Sequence, residues 1–251
     1  MPNLQTRILS RQRSIPMYSY EHAIILGVGG IGSWVALNLA LSGKVTNLYL
    51  VDPDEIEESN LNRTPFRICD VGYPKVDALK YLILERRSMN VVTFKQRTNS
   101  ELFQDLATRA ELSSEILDCP DRVVERCVII DCRDDVFEDF YKMPCKYYKI
   151  GYDGVEVTID GNPRNTAVWG QADHYQVTPS FICPAQLAAN MVVTDILVKD
   201  PDNIIDDFDY ITNQDPFDVR TRINTVVTFN TKNLLELLYR QSLEEEQQDD
   251  S

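Results

Sequence analysis

Two asparagines, an arginine and, a short way on, a lysine stand just past an apolar run that ends in Asp52. Residues 51–54 read VDPD, residues 58–67 read ESNLNRTPFR, and Lys75 follows in YPKVDAL. Asn60 and Asn62 supply neutral donors, Arg63 a planar fork that matches phosphate oxygens, and Lys75 a compact point charge. Such a set can hold a triphosphate. Asp54 and Asp134 can hold Mg2+ between them, since this ion favours a few carboxylates plus phosphate oxygens. A dinucleotide needs no arginine in this place unless it carries a 2′-phosphate, and then the acid at the end of the strand is usually absent.

These side chains need a scaffold that brings them together. The stretch HAIILGVGGIGSWVALNLALSG begins as an apolar strand, turns through glycines and continues at helical spacing, with Ile31, Val35 and Leu39 on one face. Gly43 stops the helix. VTNLYLVD is a second buried strand. Strand, glycine turn, helix and strand form one βαβ unit, which implies a parallel sheet with a right-handed crossover. Within it, Gly27 permits the tight turn, Gly29 lets the backbone approach a phosphate or ribose, and Gly32 lets helix and strand pack closely. Asp52 follows Gly32 at the distance of about 20 residues at which an acid binds both ribose hydroxyls. The helix N-terminus presents unpaired N–H groups to an anion. Together these features point to a nucleotide site.

Further along, PKVDALKYLILERRS reads as a helix, VVTFKQ as a strand, RCVIIDC as an apolar strand with an acidic end, and DDVFEDFYKM as a helix. KYYKIGYDG and VEVTID read as later strands, PAQLAANMVVTDILVK as a helix with Pro184 in its first turn, and INTVVTFNTKNLLELLYR as a strand and a helix. The expectation is an α/β fold: a Rossmann-like, mostly parallel sheet with helices on both faces and additional antiparallel strands towards the C-terminus. The domain reading is an arginine-bearing N-terminal arm over 1–20, a single domain over 21–240 and a disordered acidic tail over 241–251.

The net charge of −14 over 251 residues argues against a general nucleic-acid surface. No apolar run has the length of a membrane helix, and the N-terminus lacks a secretory h-region, which implies a cytoplasmic protein. The six cysteines include no C-x-x-C pair, so no zinc site is expected, and with no export signal no disulfides are expected either. His22 and Trp34 read as structural residues, as does Trp169, and His174 as a solvated loop residue.

The ordered series GVGGIG, VDPD, SNLNR, YPKVDAL, IIDCRDD, KIGYDG and CPAQLAAN, over roughly residues 7–200, resembles the adenylyltransferases related to ubiquitin-activating enzymes, which include bacterial ThiF and MoeB. The resemblance implies a Rossmann-like domain, usually a homodimer. It would use ATP and Mg2+ to activate the C-terminal carboxylate of a ubiquitin-like or sulfur-carrier protein, or of a peptide, as an acyl-adenylate. It implies that Asp52 binds the ribose, that Asn60, Arg63 and Lys75 hold the phosphates and stabilise the transition state, and that Asp134 binds magnesium with Asp54 as helper. It also implies that an N-terminal arginine, here Arg11 with Arg13 as the alternative, reaches the ATP of the partner subunit.

The chain departs from the family pattern in three ways. Thr64 stands where a glutamine is common, Asp135 where an asparagine is common, and the zinc-binding C-x-x-C pairs are missing. The loop WGQADHYQVTPSF contains no cysteine, and Cys183 beside Pro184 is the remaining thioester candidate. Adenylation without a thioester on this chain is therefore the preferred expectation. The alternatives are a catalytically inactive scaffold of the same fold and an NAD-dependent oxidoreductase.

Overall fold

The computed structural model describes residues 7–110, 126–134, 145–153, 156–160, 180–198 and 227–230. Seven strands form one sheet: β1 (Tyr20–Leu26), β2 (Val45–Val51), β3 (Asn90–Phe94), β4 (Cys127–Asp131), β5 (Lys146–Asp153), β6 (Glu156–Asp160) and β7 (Val227–Asn230), in the spatial order β3-β2-β1-β4-β5-β6-β7. The first five pair parallel, with registers such as Ile24↔Tyr49, Leu26↔Asp131 and Asp131↔Lys149. β6 pairs antiparallel with β5, and β7 antiparallel with β6. β1 is apolar and buried almost throughout, as expected for a strand covered on both faces.

Four helices accompany the sheet: α1 (Gly30–Ser42), α2 (Lys75–Leu84), α3 (Ser100–Arg109) and α4 (Ile182–Leu197). α1 ends where expected, because Gly43 adopts φ +73 and its N–H returns to Ala40 O. The larger core cluster joins α1, α2 and α4 to one sheet face, and the smaller joins Leu102 and Leu106 of α3 to the other. α1 is buried on most of its circumference, so its apolar spacing is less one-sided than a surface helix would show. The expected helices over DDVFEDFYKM and NLLELLYR, and the acidic tail, lie outside the described residues.

The order of the strands decides where chemistry can occur. Chain progression runs outwards from β1 in both directions, to β2 and β3 on one side and to β4 and β5 on the other. The loops leaving β1 and β4 therefore diverge, and the crevice between them at the carboxyl ends of the strands is the usual ligand seat of such sheets.

Candidate functional site

A cleft of about 540 Å³ opens at that crevice, a volume ordinary for a small-molecule site. Its lining comes from every parallel strand end: the glycine turn after β1, Asp52 and Asp54 after β2, Gln96 to Thr98 after β3, Cys132 to Asp134 after β4, and Tyr152 of β5. Arg63, Lys75 and Ser180 complete it.

The glycine turn has the geometry its sequence demands. Gly27 takes φ +83, and a Cβ on Gly32 would lie 1.9 Å from Gly27 O, so neither position admits another residue without a backbone shift. Gly29 differs, because a Cβ there would meet nothing within 4 Å. It caps α1, whose first-turn amides have no intrahelical partner and, through Gly30 and Ile31, border the cleft.

Asp52 is buried, and each of its oxygens already accepts one amide: Oδ2 from Val28 N at 2.6 Å and Oδ1 from Asp54 N at 2.9 Å. Each oxygen keeps acceptor capacity for a hydroxyl. Burial pushes the carboxyl above its usual range, opposed by the charge of Lys75 and by the two amides. Lys75 occupies the first position of α2, the end of a helix where a cation is least favoured. Two carboxylates hold it there: Nζ lies 2.8 Å from Asp54 Oδ2 and 3.9 Å from Asp52 Oδ1. Its amide also donates to Asp54 O, so the loop after β2 and the start of α2 are bound together.

Arg63 arrives from the turn after Glu58–Asn60. Its Nη1 donates to Ser59 O at 2.5 Å and to Asn62 Oδ1 at 3.0 Å, and Trp34 Nε1 donates to its carbonyl at 2.9 Å. Asn60, expected to face the phosphates, lies elsewhere. It is buried, it does not line the cleft, and its Oδ1 accepts from Glu57 N to close a capping box around its own turn. Thr64 is buried too, with its hydroxyl on Asn60 O at 2.9 Å, so the residue replacing the family glutamine braces this turn. Asn62 Nδ2 donates to Ser180 O at 2.9 Å and so ties the arginine turn to the start of α4.

Asp134 and Asp54 line the same cleft, as a shared cation would require. Among the described residues no cluster of three or more His, Cys, Asp or Glu side chains could hold a metal by itself. A pair of carboxylates is the donor type that Mg2+ takes. Asp135, His174 and Trp169 lie outside the described residues. Arg11 sits in a short exposed turn, and its neighbour Gln12 donates to Ser42 O at the C-terminal end of α1. α1 has 13 residues, and at ~1.5 Å per residue its two ends are about 20 Å apart. Arg11 is thus at the far end of the helix from its own chain's cleft. His22 is structural as expected, buried with Nδ1 3.1 Å from Tyr49 Oη. Cys183 is exposed in the first turn of α4 and is not part of the cleft lining.

Sequence reasoning missed the floor of the site. Asp131, at the end of β4, is fully buried and accepts from Arg133 Nε at 2.9 Å, Arg133 Nη2 at 2.7 Å, Tyr147 Oη at 2.7 Å and Lys149 Nζ at 3.3 Å. Lys149 is fully buried as well and also donates to Arg133 O. Burial alone would raise the Asp131 carboxyl, but the Arg133 hydrogen bond and the charges of Lys149 and Arg133 hold it below the usual range. Arg133 Nη1 reaches Thr98 Oγ1, so this side chain straps the loop after β4 to the loop after β3 beneath the cleft. The available signal was a lysine within an apolar strand, KYYKIG. It acquires meaning only once β4 and β5 are known to be neighbours in the register Asp131↔Lys149.

The chain matches the ThiF family over residues 16–141. It belongs to that family. It is 44% identical over 70 residues to the NEDD8-activating enzyme E1 catalytic subunit of Arabidopsis thaliana, covering 28% of this chain and 15% of that one. It is 32% identical over 108 residues to the sulfur carrier protein ThiS adenylyltransferase of Escherichia coli, covering 42% of this chain and 41% of that one. These matches span less than half the length of either relative. In fold it is similar to Escherichia coli MccB solved with ATP, at TM-score 0.51 and 22% identity, over 75% of this chain and 56% of that one. The ThiF match runs from before β1 to beyond β4 and so includes the glycine turn, Asp52, Arg63, Lys75 and Asp134. Among the described residues, no helix is long and apolar enough to cross a membrane.

Proposed function

We propose that this ThiF-family protein is a MgATP-dependent adenylyltransferase. It activates the C-terminal carboxylate of a ubiquitin-like or sulfur-carrier protein, or of a peptide, as an acyl-adenylate with release of pyrophosphate. One observation carries the reading: the ribose-type acid Asp52, a helix N-terminus, the cations Arg63 and Lys75 and the carboxylates Asp54 and Asp134 line a single cleft. Family membership and the names of the relatives, one a ThiS adenylyltransferase and one a NEDD8-activating enzyme subunit, support it.

The chemistry follows from the charges. A carboxylate oxygen attacks the α-phosphorus, a new P–O bond forms, and the bond to the β-phosphate oxygen breaks with its electron pair leaving on pyrophosphate. Two anions must meet, and negative charge grows on the phosphoryl oxygens. Asp52 fixes the ribose and so the register of the chain of phosphates. Arg63 and the α1 amides face that growing charge, and Lys75 supplies a second cation. Lys75 is already held by Asp52 and Asp54, so it is positioned before a nucleotide arrives. Asp54 and Asp134 would hold Mg2+, which would supply charge neutralisation for the leaving pyrophosphate. No protein nucleophile is required, which agrees with Cys183 lying outside the cleft lining.

The same reading carries a homodimer, in which Arg11 serves the partner's nucleotide, and a cytoplasmic setting. Its test is pyrophosphate release from ATP on addition of C-terminally intact ubiquitin-like and sulfur-carrier proteins. Release by the wild type and none by Arg63→Ala is expected. Undiminished turnover in Arg63→Ala would contradict the assignment.

A further inference from the structure

The remaining glycine of the motif, Gly30, has a requirement of its own. A Cβ there would lie 2.7 Å from Tyr152 Oη and 3.3 Å from Arg63 Cδ. The side chain that Gly30 lacks thus leaves the space that Tyr152 and Arg63 share, directly over the first residue of α1. Tyr152 stands in β5, two strands away from β1 in the sheet order, yet its hydroxyl reaches the helix that follows β1. It lines the cleft together with Gly30, Arg63 and Ser180. Burial pushes its phenol above the usual range, opposed by hydrogen bonding to Ser180 and by the charge of Arg63.

We propose that Tyr152 is the positioning residue for Arg63, holding the arginine stem against Gly30 so that the guanidinium and the α1 amides address one and the same phosphate group. The proposal rests on the reading of the cleft as a MgATP site. Arginine is long, and an unheld side chain loses rotamer freedom when it binds. Trp34 of α1 holds the backbone end of Arg63 through its carbonyl, and Ser59 and Asn62 of the loop hold the tip through Nη1. Between those two ends, the stem passes over Gly30 beside the Tyr152 hydroxyl. The arrangement also explains why a phenol is present in a strand end that otherwise reads IGYDG. A phenylalanine would fill the same volume but place no hydroxyl beside Gly30 and the Arg63 stem.

The experiment is calorimetric binding of MgATP and, separately, of adenosine to the wild type, Tyr152→Phe, Arg63→Ala and the double variant. Tyr152→Phe keeps the ring and therefore the packing. It is expected to weaken MgATP about 5- to 10-fold and to leave adenosine within about twofold. In the Arg63→Ala background the same substitution is expected to change MgATP less than about twofold, because the two side chains act as one unit. Unchanged MgATP binding by Tyr152→Phe, an equal loss for adenosine, or additive effects in the double variant would each overturn the proposal while leaving the nucleotide site standing. A wild type that binds no MgATP would overturn both readings.

Discussion

Trp34 Nε1 donates to the carbonyl oxygen of Arg63 at 2.9 Å, which ties the first turns of α1 to the loop that carries the arginine. The indole is therefore a splint as well as a packing residue. Trp34→Phe keeps most of the ring and removes the donor. It should cost about 1 kcal/mol in denaturant unfolding. It should also speed hydrogen exchange at the Arg63 amide, which is bonded to Asn60 O, more than at amides of β1.

Gly29 and Gly32 should behave as opposites. Gly32→Ala forces a methyl against Gly27 O and is expected to cost several kcal/mol, like other overpacked buried sites, or to prevent folding. A methyl on Gly29 meets nothing within 4 Å, so Gly29→Ala should lower the melting temperature far less than Gly32→Ala does. The methyl on Gly29 nevertheless borders the nucleotide cleft, and MgATP should bind at least about 10-fold more weakly. Thermal melting and calorimetry on the two variants separate these roles.

Lys75→Met keeps the length of the side chain and removes the charge. Its strongest partner, Asp54, is more than half exposed, so the stability loss should stay below about 1 kcal/mol. The effect on MgATP should be larger, about 10-fold or more, if this cation serves the phosphates as proposed. Asp52, deprived of the charge that lowers it, should titrate higher still, which carbon-13 NMR of the carboxyl groups would show.

Asp131→Asn addresses the buried floor. It leaves Arg133 and Lys149 without their counter-charge, and breaking such a cluster from one side typically costs about 3–5 kcal/mol. Urea unfolding at neutral pH should show a midpoint shift of that size.

The same cluster sets an acid limit. The folded Asp131 carboxyl lies below its usual value near 3.8, so the folded state binds this proton less readily than the unfolded chain. Its contribution to stability is complete above that pH and fades as the pH falls through and below about 4. The slope of stability against pH in that acidic window should be shallower in Asp131→Asn, and denaturant titrations at several acidic pH values measure it.

What the sequence discloses here depends on the range of the interaction. The glycine turn, the stop at Gly43, and Asp52 at the end of β2 are local, and each was legible because its residues are neighbours along the chain. The cleft-lining positions of Arg63, Lys75, Asp54 and Asp134 were also legible, since all follow strand ends. Asn60 misled, because an asparagine beside an arginine looks like a second donor. Here its side chain closes a capping box instead, a local alternative open to any asparagine at such a turn. Gly30, Tyr152, Arg133 and Lys149 were illegible because their meaning is non-local. Gly30 matters through a residue of β5, and Lys149 through an aspartate in the neighbouring strand. A single chain of letters gives neither pairing until the strand order is known.

The most direct measurement is calorimetric binding of ATP with Mg2+, run beside NAD, on the wild type and on Arg63→Ala. Binding of MgATP in preference to NAD, weakened at least about 10-fold by loss of the arginine, is the expected result. Binding of NAD in preference, or MgATP binding indifferent to Arg63, would contradict the assignment of this cleft to adenylate chemistry.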